Sequence, residues 1–325
     1  MTEINGMGRR RWGLPMGAAG LVMVITAGSF TLAARTAGPA APPGGGAGLP
    51  WPPDARGALG VEGVPGTRLH GSRKPTPIAS VAKVMTAYVF LKDRPLPPGR
   101  GGPVFTVSAE EAARYGERLA RQESLVPVRA GERYTQRQAL EALLTVSANN
   151  LAHEIARWDA GSERAFVAKM NAAARELGMN DTRYTDPSGF DAATVSTAAD
   201  QLVLLRAASR LPGFLETASR PWFEAPGTAG RRPTTNLALG REGIIAGKTG
   251  YTGAAGGNFV FLALARKAGV PVLVYGVVLG HRDTAGSALT CRLAPPLVKA
   301  AVGGLGRPRR TGQADRVQAW ADASR

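Results

Sequence analysis

In the segment SVAK, a serine and a lysine, Ser80 and Lys83, stand three positions apart. If a helix begins at Ser80, the two side chains share a face, because residues i and i+3 are neighbours on a helix. A serine hydroxyl is a weak nucleophile that needs a base beside it, and a lysine amine serves when burial or a second cation lowers its pKa. The alternative is an N-capping serine beside a solvated lysine, which the apolar neighbours Val84 and Met85 disfavour.

A second serine, Ser147, stands two positions before Asn149, in a polar break between the apolar-periodic segments Ala139–Leu144 and Leu151–Trp158. In a turn, a hydroxyl and an amide at this spacing can face one cleft. The alternative is an ordinary helix cap, since Ser and Asn are both favoured at helix ends.

A third group, Lys248-Thr249-Gly250, follows the strand-like run Gly243–Gly247. The lysine supplies positive charge, the threonine donates a hydrogen bond to an anion, and the glycine lets a substrate backbone approach closely. The letters GKT also end a phosphate-binding loop motif. However, the first glycine of that motif would fall at position 242, which is Glu242, and the following residues predict a turn and a strand, not a helix.

The patterns SxxK, SxN and KTG together, in this order, are expected by chance on the order of once in a thousand such chains. They resemble the motif set of the penicillin-binding protein and serine β-lactamase superfamily. The flanking segments PIASVAKVMTA, LLTVSANNLA and IIAGKTGYTGAAGGNFV are similar to those of the D-Ala-D-Ala carboxypeptidases, the low-molecular-mass serine type. The resemblance covers about residues 55–300.

The resemblance implies a role for each motif residue in acyl transfer. Ser80 would be the acylated nucleophile, Lys83 its general base, and Ser147 a relay of the proton to the leaving amine. The backbone N–H groups of Ser80 and of Tyr251 would form the oxyanion hole.

The remaining motif residues would bind substrate. By resemblance, Asn149 holds the peptide carbonyl of the substrate, and Thr249, followed by Gly250, binds its terminal carboxylate. Lys248 would keep the site positive and help lower the pKa of Lys83. One departure is Asn150, where the family often has Asp; this position is interpreted as structural.

The implied activity is removal of the terminal D-Ala from peptidoglycan stem peptides that end in D-Ala-D-Ala, with β-lactams as inhibitors and without a cofactor or metal. Alternatives on the same fold are a D,D-transpeptidase or endopeptidase and a β-lactamase, although no motif places a glutamate for deacylation. A non-catalytic wall-peptide binding protein is a further alternative, which the intact Ser80 and Lys83 disfavour.

The hydrophobic periodicity predicts an α+β fold: an antiparallel sheet flanked by helices, with an inserted helical lobe and the active site between the lobes. Short strands are expected near Ala58–Val61 and Arg68–His70, and a hairpin from Asn258–Arg266 and Val272–Gly280. Helices are expected at Ser80–Leu91, at the two segments around Ser147, at Glu163–Leu177, from Ser196 towards Leu211, and at Leu289–Val302, kinked or broken at Pro295-Pro296.

Four regions are expected along the chain. Arg9-Arg10-Arg11 precede an uncharged, partly apolar stretch, so residues 1–35 predict a signal peptide or an N-terminal membrane anchor. Residues 36–53 have the Pro/Gly/Ala composition of a linker, 54–306 form the catalytic domain, and 307–325 are expected to be a basic, disordered tail. The body would then lie outside the cytoplasm, either secreted or tethered to the outer face of the membrane.

Composition excludes several classes of function. The single cysteine, Cys291, rules out an intrachain disulfide framework and a Cys-based zinc site, and the three scattered histidines form no HExxH motif. The formal net charge of +16 favours an acidic polymer as partner. Because the export signal argues against nucleic acid as the partner, that polymer is expected to be the anionic cell wall.

Overall fold

A computed structural model describes residues 48–227, 230–282 and 286–324. The strands are β1 (Arg56–Val61), β2 (Arg68–His70), β3 (Thr76–Pro77), β4 (Val104–Thr106), β5 (Arg133–Thr135), β6 (Val195–Ser196), β7 (Trp222–Phe223), β8 (Arg232–Pro233), β9 (Ile244–Thr252), β10 (Gly256–Lys267) and β11 (Val270–His281). The helices are α1 (Lys83–Asp93), α2 (Ala109–Ala113), α3 (Tyr115–Ala120), α4 (Gln136–Thr145), α5 (Asn149–Ala160), α6 (Glu163–Glu176), α7 (Ala198–Ala208), α8 (Phe214–Ala218), α9 (Ser287–Gly303) and α10 (Gly312–Ala323). Short 3₁₀ turns lie at Ala79–Ala82 and Arg241–Gly243.

The central sheet joins the early and late parts of the chain. Its five strands run in the order β2-β1-β11-β10-β9, and neighbouring strands are antiparallel. The predicted hairpin is β10–β11, in which Lys267 pairs with Val270. The helices α1 to α8 are inserted between β2 and β9. This architecture confirms the predicted α+β class with an inserted helical lobe.

Both faces of the sheet are covered. Along β10, Phe259 and Phe261 pack with the apolar side of α9, while Val260 and Leu262 belong to the larger core that includes the helical lobe. This alternation follows from the two-residue period of a strand, which sends successive side chains to opposite faces. Because both faces are buried, the sheet has a fixed register and provides a rigid wall for the site.

Several of the inserted helices begin at side-chain caps that the sequence supplies. Thr135 and Gln138 form a reciprocal capping box at α4, and the side chains of Ser162 and Thr197 cap α6 and α7. The predicted helix at Ser80–Leu91 is present as a 3₁₀ turn followed by α1. Within the described ranges, none of the helices combines the length and apolar composition of a membrane-crossing segment.

The position of Trp51 and the course of the last predicted helix of the catalytic domain differ from the expectation. The predicted segment 1–35 and most of the predicted linker lie outside the described residues. Trp51, expected to be in the linker, stacks on His70 with ring centroids 5.6 Å apart. The helix α9 continues through Pro295 and Pro296, so the prolines do not divide it.

The prediction of a disordered tail at 307–325 was wrong. The side chain of Thr311 caps α10, and Ala314 and Val317 of that helix are buried in the main core, with Trp320 packed beside them. The apolar residues recur every third position on one face, which is the spacing of a docked helix. The abundance of arginine in this segment hid that pattern.

Replacing a buried residue of α10 tests whether the helix is part of the fold. Val317→Asp places a carboxylate in the core and should lower the free energy of unfolding by about 2–3 kcal/mol. Ala319→Asp, on the exposed side of the same helix, should change it by less than about 0.5 kcal/mol. Urea denaturation followed by circular dichroism measures both, and equal stabilities for the two variants would contradict the docked helix.

Candidate active site

Ser80 lies in the 3₁₀ turn that leads into α1, and Lys83 is the first residue of that helix. The Nζ atom of Lys83 lies 2.8 Å from Ser80 Oγ, and the lysine side chain is fully buried. The preceding residue, Ala79, has a left-handed φ of 47°. Such a conformation is costly for a non-glycine residue and is often found at active sites. The structure therefore brings together the predicted nucleophile and base, and it excludes a solvated lysine.

Two further acceptors surround the Lys83 amine. Nζ lies 2.6 Å from Oδ1 of Asn149 and 2.8 Å from the backbone oxygen of Ser188. Both oxygens can only accept hydrogen bonds, whereas the Ser80 hydroxyl can also donate. A neutral amine has two N–H groups and one lone pair. Its N–H groups therefore fit Asn149 and Ser188, which leaves the lone pair facing the Ser80 hydroxyl.

Electrostatics favours that neutral form. Burial lowers the pKa of Lys83 to about 7, against the opposing effects of the negative charges on Asp186 and Glu123. At neutral pH a large fraction of the amine is thus unprotonated and able to accept the Ser80 proton. This is the pKa that general-base catalysis requires.

Ser147 and Lys248 form a second buried pair. Ser147 lies between α4 and α5 with a φ of 64°, and Lys248 Nζ donates to its Oγ at 3.0 Å and to the backbone oxygen of Thr249 at 2.6 Å. Burial lowers the pKa of Lys248 well below its usual value, and the charge on Lys83 lowers it further. The family resemblance implies that Lys248 lowers the pKa of Lys83, whereas burial is the main cause of the lowered pKa for both lysines.

The KTG residues lie inside β9, not after its end. The chain passes from β9 through a tight turn directly into β10, so the helix that a phosphate-binding loop requires does not follow. A Cβ atom at Gly250 would lie 3.0 Å from the backbone nitrogen of Ser80. The glycine thus allows β9 to approach the nucleophile's N–H group. The next residue, Tyr251, is half-exposed at the rim.

Asn149 connects the lysine to a carboxylate that sequence reasoning missed. Its Nδ2 donates to Glu123 Oε2 at 2.8 Å, and the Glu123 side chain is buried beside Arg118. A carboxylate can only accept, so Glu123 fixes the amide with Oδ1 towards Lys83. The second N–H of the amide stays available for a substrate carbonyl.

The neighbouring Asn150 has a structural role, as predicted. It is fully buried, its Nδ2 donates to the backbone oxygen of Val126 at 2.7 Å, and its Oδ1 accepts from the Val126 N–H at 3.3 Å. These contacts hold the segment that follows Glu123 against α5.

Three other residues of the site were not predicted. Thr235 accepts a hydrogen bond from the Thr249 hydroxyl at 2.7 Å. Ser188 supplies the carbonyl that binds Lys83, and Asp186 accepts from the Ser188 hydroxyl at 2.6 Å. The only signal for the latter pair was the turn composition DPSG, which predicts a loop without saying which group it contacts.

Comparison with known proteins agrees with this site. The chain is 37% identical over 211 residues to D-alanyl-D-alanine carboxypeptidase DacB2 of Mycobacterium tuberculosis, covering 62% of this chain and 67% of that protein. It is 34% identical over 212 residues to a D-alanyl-D-alanine endopeptidase of Pseudomonas aeruginosa, covering 62% and 65%. The match therefore spans about two thirds of the length of each of these relatives.

A solved structure shares the fold. The crystal structure of a D-alanyl-D-alanine carboxypeptidase from Mycobacterium tuberculosis superposes with a TM-score of 0.66 at 29% sequence identity, covering 81% of this chain and 96% of that one. The family model described as D-alanyl-D-alanine carboxypeptidase, peptidase family S11, matches residues 70–283, which include every motif residue described above. The chain therefore belongs to the D-alanyl-D-alanine carboxypeptidase family of serine peptidases.

Proposed function

We propose that the protein is a serine D,D-carboxypeptidase that releases the terminal D-alanine of peptidoglycan stem peptides through an acyl-enzyme on Ser80. The observation that carries this proposal is the buried Lys83 amine, placed 2.8 Å from Ser80 Oγ with its other two contacts made to obligate acceptors. A fully buried amine in this arrangement serves as a base. Membership of the family supports the substrate.

Acylation begins when Lys83 accepts the Ser80 proton and Oγ attacks the carbonyl carbon of the D-Ala-D-Ala bond. The oxyanion accepts from the Ser80 and Tyr251 N–H groups, and such donors typically contribute about 3 kcal/mol each. Ser147, hydrogen-bonded to Lys248, then passes a proton to the leaving D-alanine nitrogen. The proton that Lys83 took from Ser80 replaces the one that Ser147 gave up. Water then attacks the ester carbonyl and loses a proton to Lys83, and that proton passes to Ser80 Oγ as the ester bond breaks, which regenerates the serine hydroxyl.

The substrate carboxylate is bound on the β9 side. The Thr249 hydroxyl, paired with Thr235, and the Lys248 ammonium are the groups that suit it. An arriving carboxylate raises the pKa of Lys248, because an opposite charge nearby favours the charged amine. The substrate thus restores the positive charge that burial disfavours in the empty site.

A D,D-endopeptidase is the second candidate. The endopeptidase of Pseudomonas aeruginosa is 34% identical, nearly as similar as the carboxypeptidase. Both reactions use the same acyl-enzyme chemistry and differ in whether the leaving amine is free D-alanine or the cross-linking residue of a second peptide.

We further propose that the catalytic domain works outside the cytoplasm, secreted or tethered by residues 1–35. The arginines Arg9 to Arg11 followed by an uncharged stretch support export, and a peptidoglycan substrate requires it.

The first test is acylation and turnover at Ser80. Purified protein should gain the mass of one benzylpenicillin, on the peptide that contains Ser80, and should release D-alanine from diacetyl-L-Lys-D-Ala-D-Ala. Ser80→Ala should lower the turnover rate by at least about 10³-fold, while Ser72→Ala, at an exposed serine, should leave it unchanged. Penicillin labelling with cleavage of cross-linked dimers but no D-alanine release would favour the endopeptidase. Absence of the adduct in folded protein would exclude the mechanism.

The pH dependence of acylation tests the base. Because Lys83 must be neutral and its pKa is about 7, the second-order rate of penicillin acylation should rise with pH, with a midpoint near 7. Glu123→Gln removes a charge that raises this pKa, so the midpoint should move to lower pH. Glu110→Gln, at an exposed helix position, should leave it in place. A midpoint that Glu123→Gln leaves unchanged or moves upward would be inconsistent with the proposed electrostatics.

Export is tested with the first 53 residues fused to a reporter enzyme that is active only outside the cytoplasm. The fusion should be active, and deletion of residues 9–34 should abolish activity. Fractionation of cells that make the full chain then distinguishes the two forms. Recovery wholly in the medium, with a sequence that starts after residue 34, would refute a retained anchor, and an inactive fusion would refute export.

A further inference from the structure

A cavity of about 540 Å³ lies beside the Lys83 site and is not used by the mechanism above. Its wall includes Glu123, which accepts from Asn149, and Asp186, which accepts from Ser188. Each of these acidic residues therefore contacts a residue that itself accepts a hydrogen bond from Lys83. The cavity therefore adjoins the site on the Asn149 side.

The position of the cavity indicates which part of a substrate reaches it. Under the proposed function, Thr249 binds the carboxylate that follows the scissile bond, and Asn149 holds a carbonyl of the peptide. The wall on the Asn149 side therefore faces the residue that precedes the two D-alanines. This step rests on the proposed function.

The deeper carboxylates of the cavity already have partners within the protein. Glu123 accepts from Asn149 at 2.8 Å and lies 3.4 Å from Arg118. Asp186 accepts from the hydroxyls of Ser188 and Thr194, at 2.6 and 2.7 Å. Their charge is thus largely committed to the fold and is poorly placed to bind a cation.

Among the side chains that line the cavity, Arg121 is the one best placed to bind a ligand. Its guanidinium carbon lies 4.7 Å from the centroid of the Phe190 ring, and the side chain is 49% exposed. Its ion-pair partners Glu117 and Glu123 both lie at 3.6 Å, beyond ordinary hydrogen-bond distance. This contact with the ring restricts the guanidinium, which reduces the entropy lost when its N–H groups bind a planar anion.

We propose that this cavity is a carboxylate-binding subsite, and that Arg121 selects stem peptides whose residue before the two D-alanines carries a side-chain carboxylate. A guanidinium and a carboxylate match in geometry, since two parallel N–H groups meet two oxygens. Arg114, half-exposed on the same wall, is already paired with Glu110 at 2.9 Å, which leaves Arg121 as the group that binds the carboxylate.

The test uses one tripeptide, acetyl-L-Lys-D-Ala-D-Ala, with its lysine side chain succinylated, acetylated or free. The series presents an anion, a neutral group or a cation at the same position. In wild-type protein, kcat/KM for D-alanine release should be about fivefold higher for the succinylated than for the acetylated peptide, the size expected of a half-exposed charged contact. The free amine should be the poorest substrate.

Variants then assign the preference. Arg121→Gln should bring the ratio of succinylated to acetylated peptide to about one, and Arg121→Lys should retain part of it. Arg175→Gln, at an exposed arginine on α6, should keep the wild-type ratio. Thermal unfolding of each variant shows that it is folded, and the ratio of two substrates on one preparation cancels any change in active fraction.

A binding measurement separates this inference from the proposed activity. Ser80→Ala cannot be acylated, so titration calorimetry with this variant measures binding alone. It should bind the succinylated peptide most tightly and the free amine most weakly. The double variant Ser80→Ala with Arg121→Gln should bind the succinylated and acetylated peptides equally. If the wild type releases no D-alanine but the three peptides still bind in this order, the proposed carboxypeptidase activity is refuted and the proposed subsite is supported. Equal binding of the three peptides, tighter binding of the free amine, or a preference that survives Arg121→Gln would overturn the subsite.

Discussion

The burial of one amine, that of Lys83, is the constraint on which the rest of the site depends. Moving a charged ammonium out of water costs several kcal/mol unless it is fully paired, and a buried group responds by losing its charge. Here the fold offers a hydroxyl and two obligate acceptors, within 2.8 Å. These three contacts can satisfy either form of the amine, so it is burial that favours the neutral form, and the chemistry of the nucleophile follows from that preference.

The contacts of Lys83 come from its own turn and from two distant parts of the chain, so the site exists only when those parts are held together. Ser188 is 105 residues from Lys83, and Asn149 is 66 residues away. Close backbone approaches make this meeting feasible. A Cβ atom at Gly189 would lie 1.9 Å from the backbone oxygen of Ala79, and Gly250 allows β9 to lie against the same turn. The left-handed conformations of Ala79 and Ser147 are stabilised by these surroundings, since neither residue would favour them alone.

The sequence predicted the motif residues and the sheet, because these depend on local spacing. SxxK at a helix start places its two side chains together whatever the rest of the chain does, and alternating apolar residues predict β10 and β11. The residues that it did not reveal, such as Glu123 and Thr235, act through contacts made only after folding, and nothing in their neighbourhood marks them. The prediction that residues 307–325 are disordered failed for the opposite reason. The sequence does contain the three-residue apolar spacing that docks α10, but the prediction gave more weight to the arginines of the segment.

The choice of lysine in an arginine-rich chain follows from the same physical constraint. Only seven of the 40 basic residues are lysines, and Lys83 and Lys248 are both buried to about 1% exposure or less. An arginine at either position would remain charged, because its guanidinium does not lose a proton in proteins. It would then need buried carboxylates of its own, as Arg118 has in Glu111 and Glu123. Lysine can instead alternate between charged and neutral forms. The proposed mechanism requires this of a base at Lys83 and of a carboxylate anchor, emptied and refilled in each cycle, at Lys248.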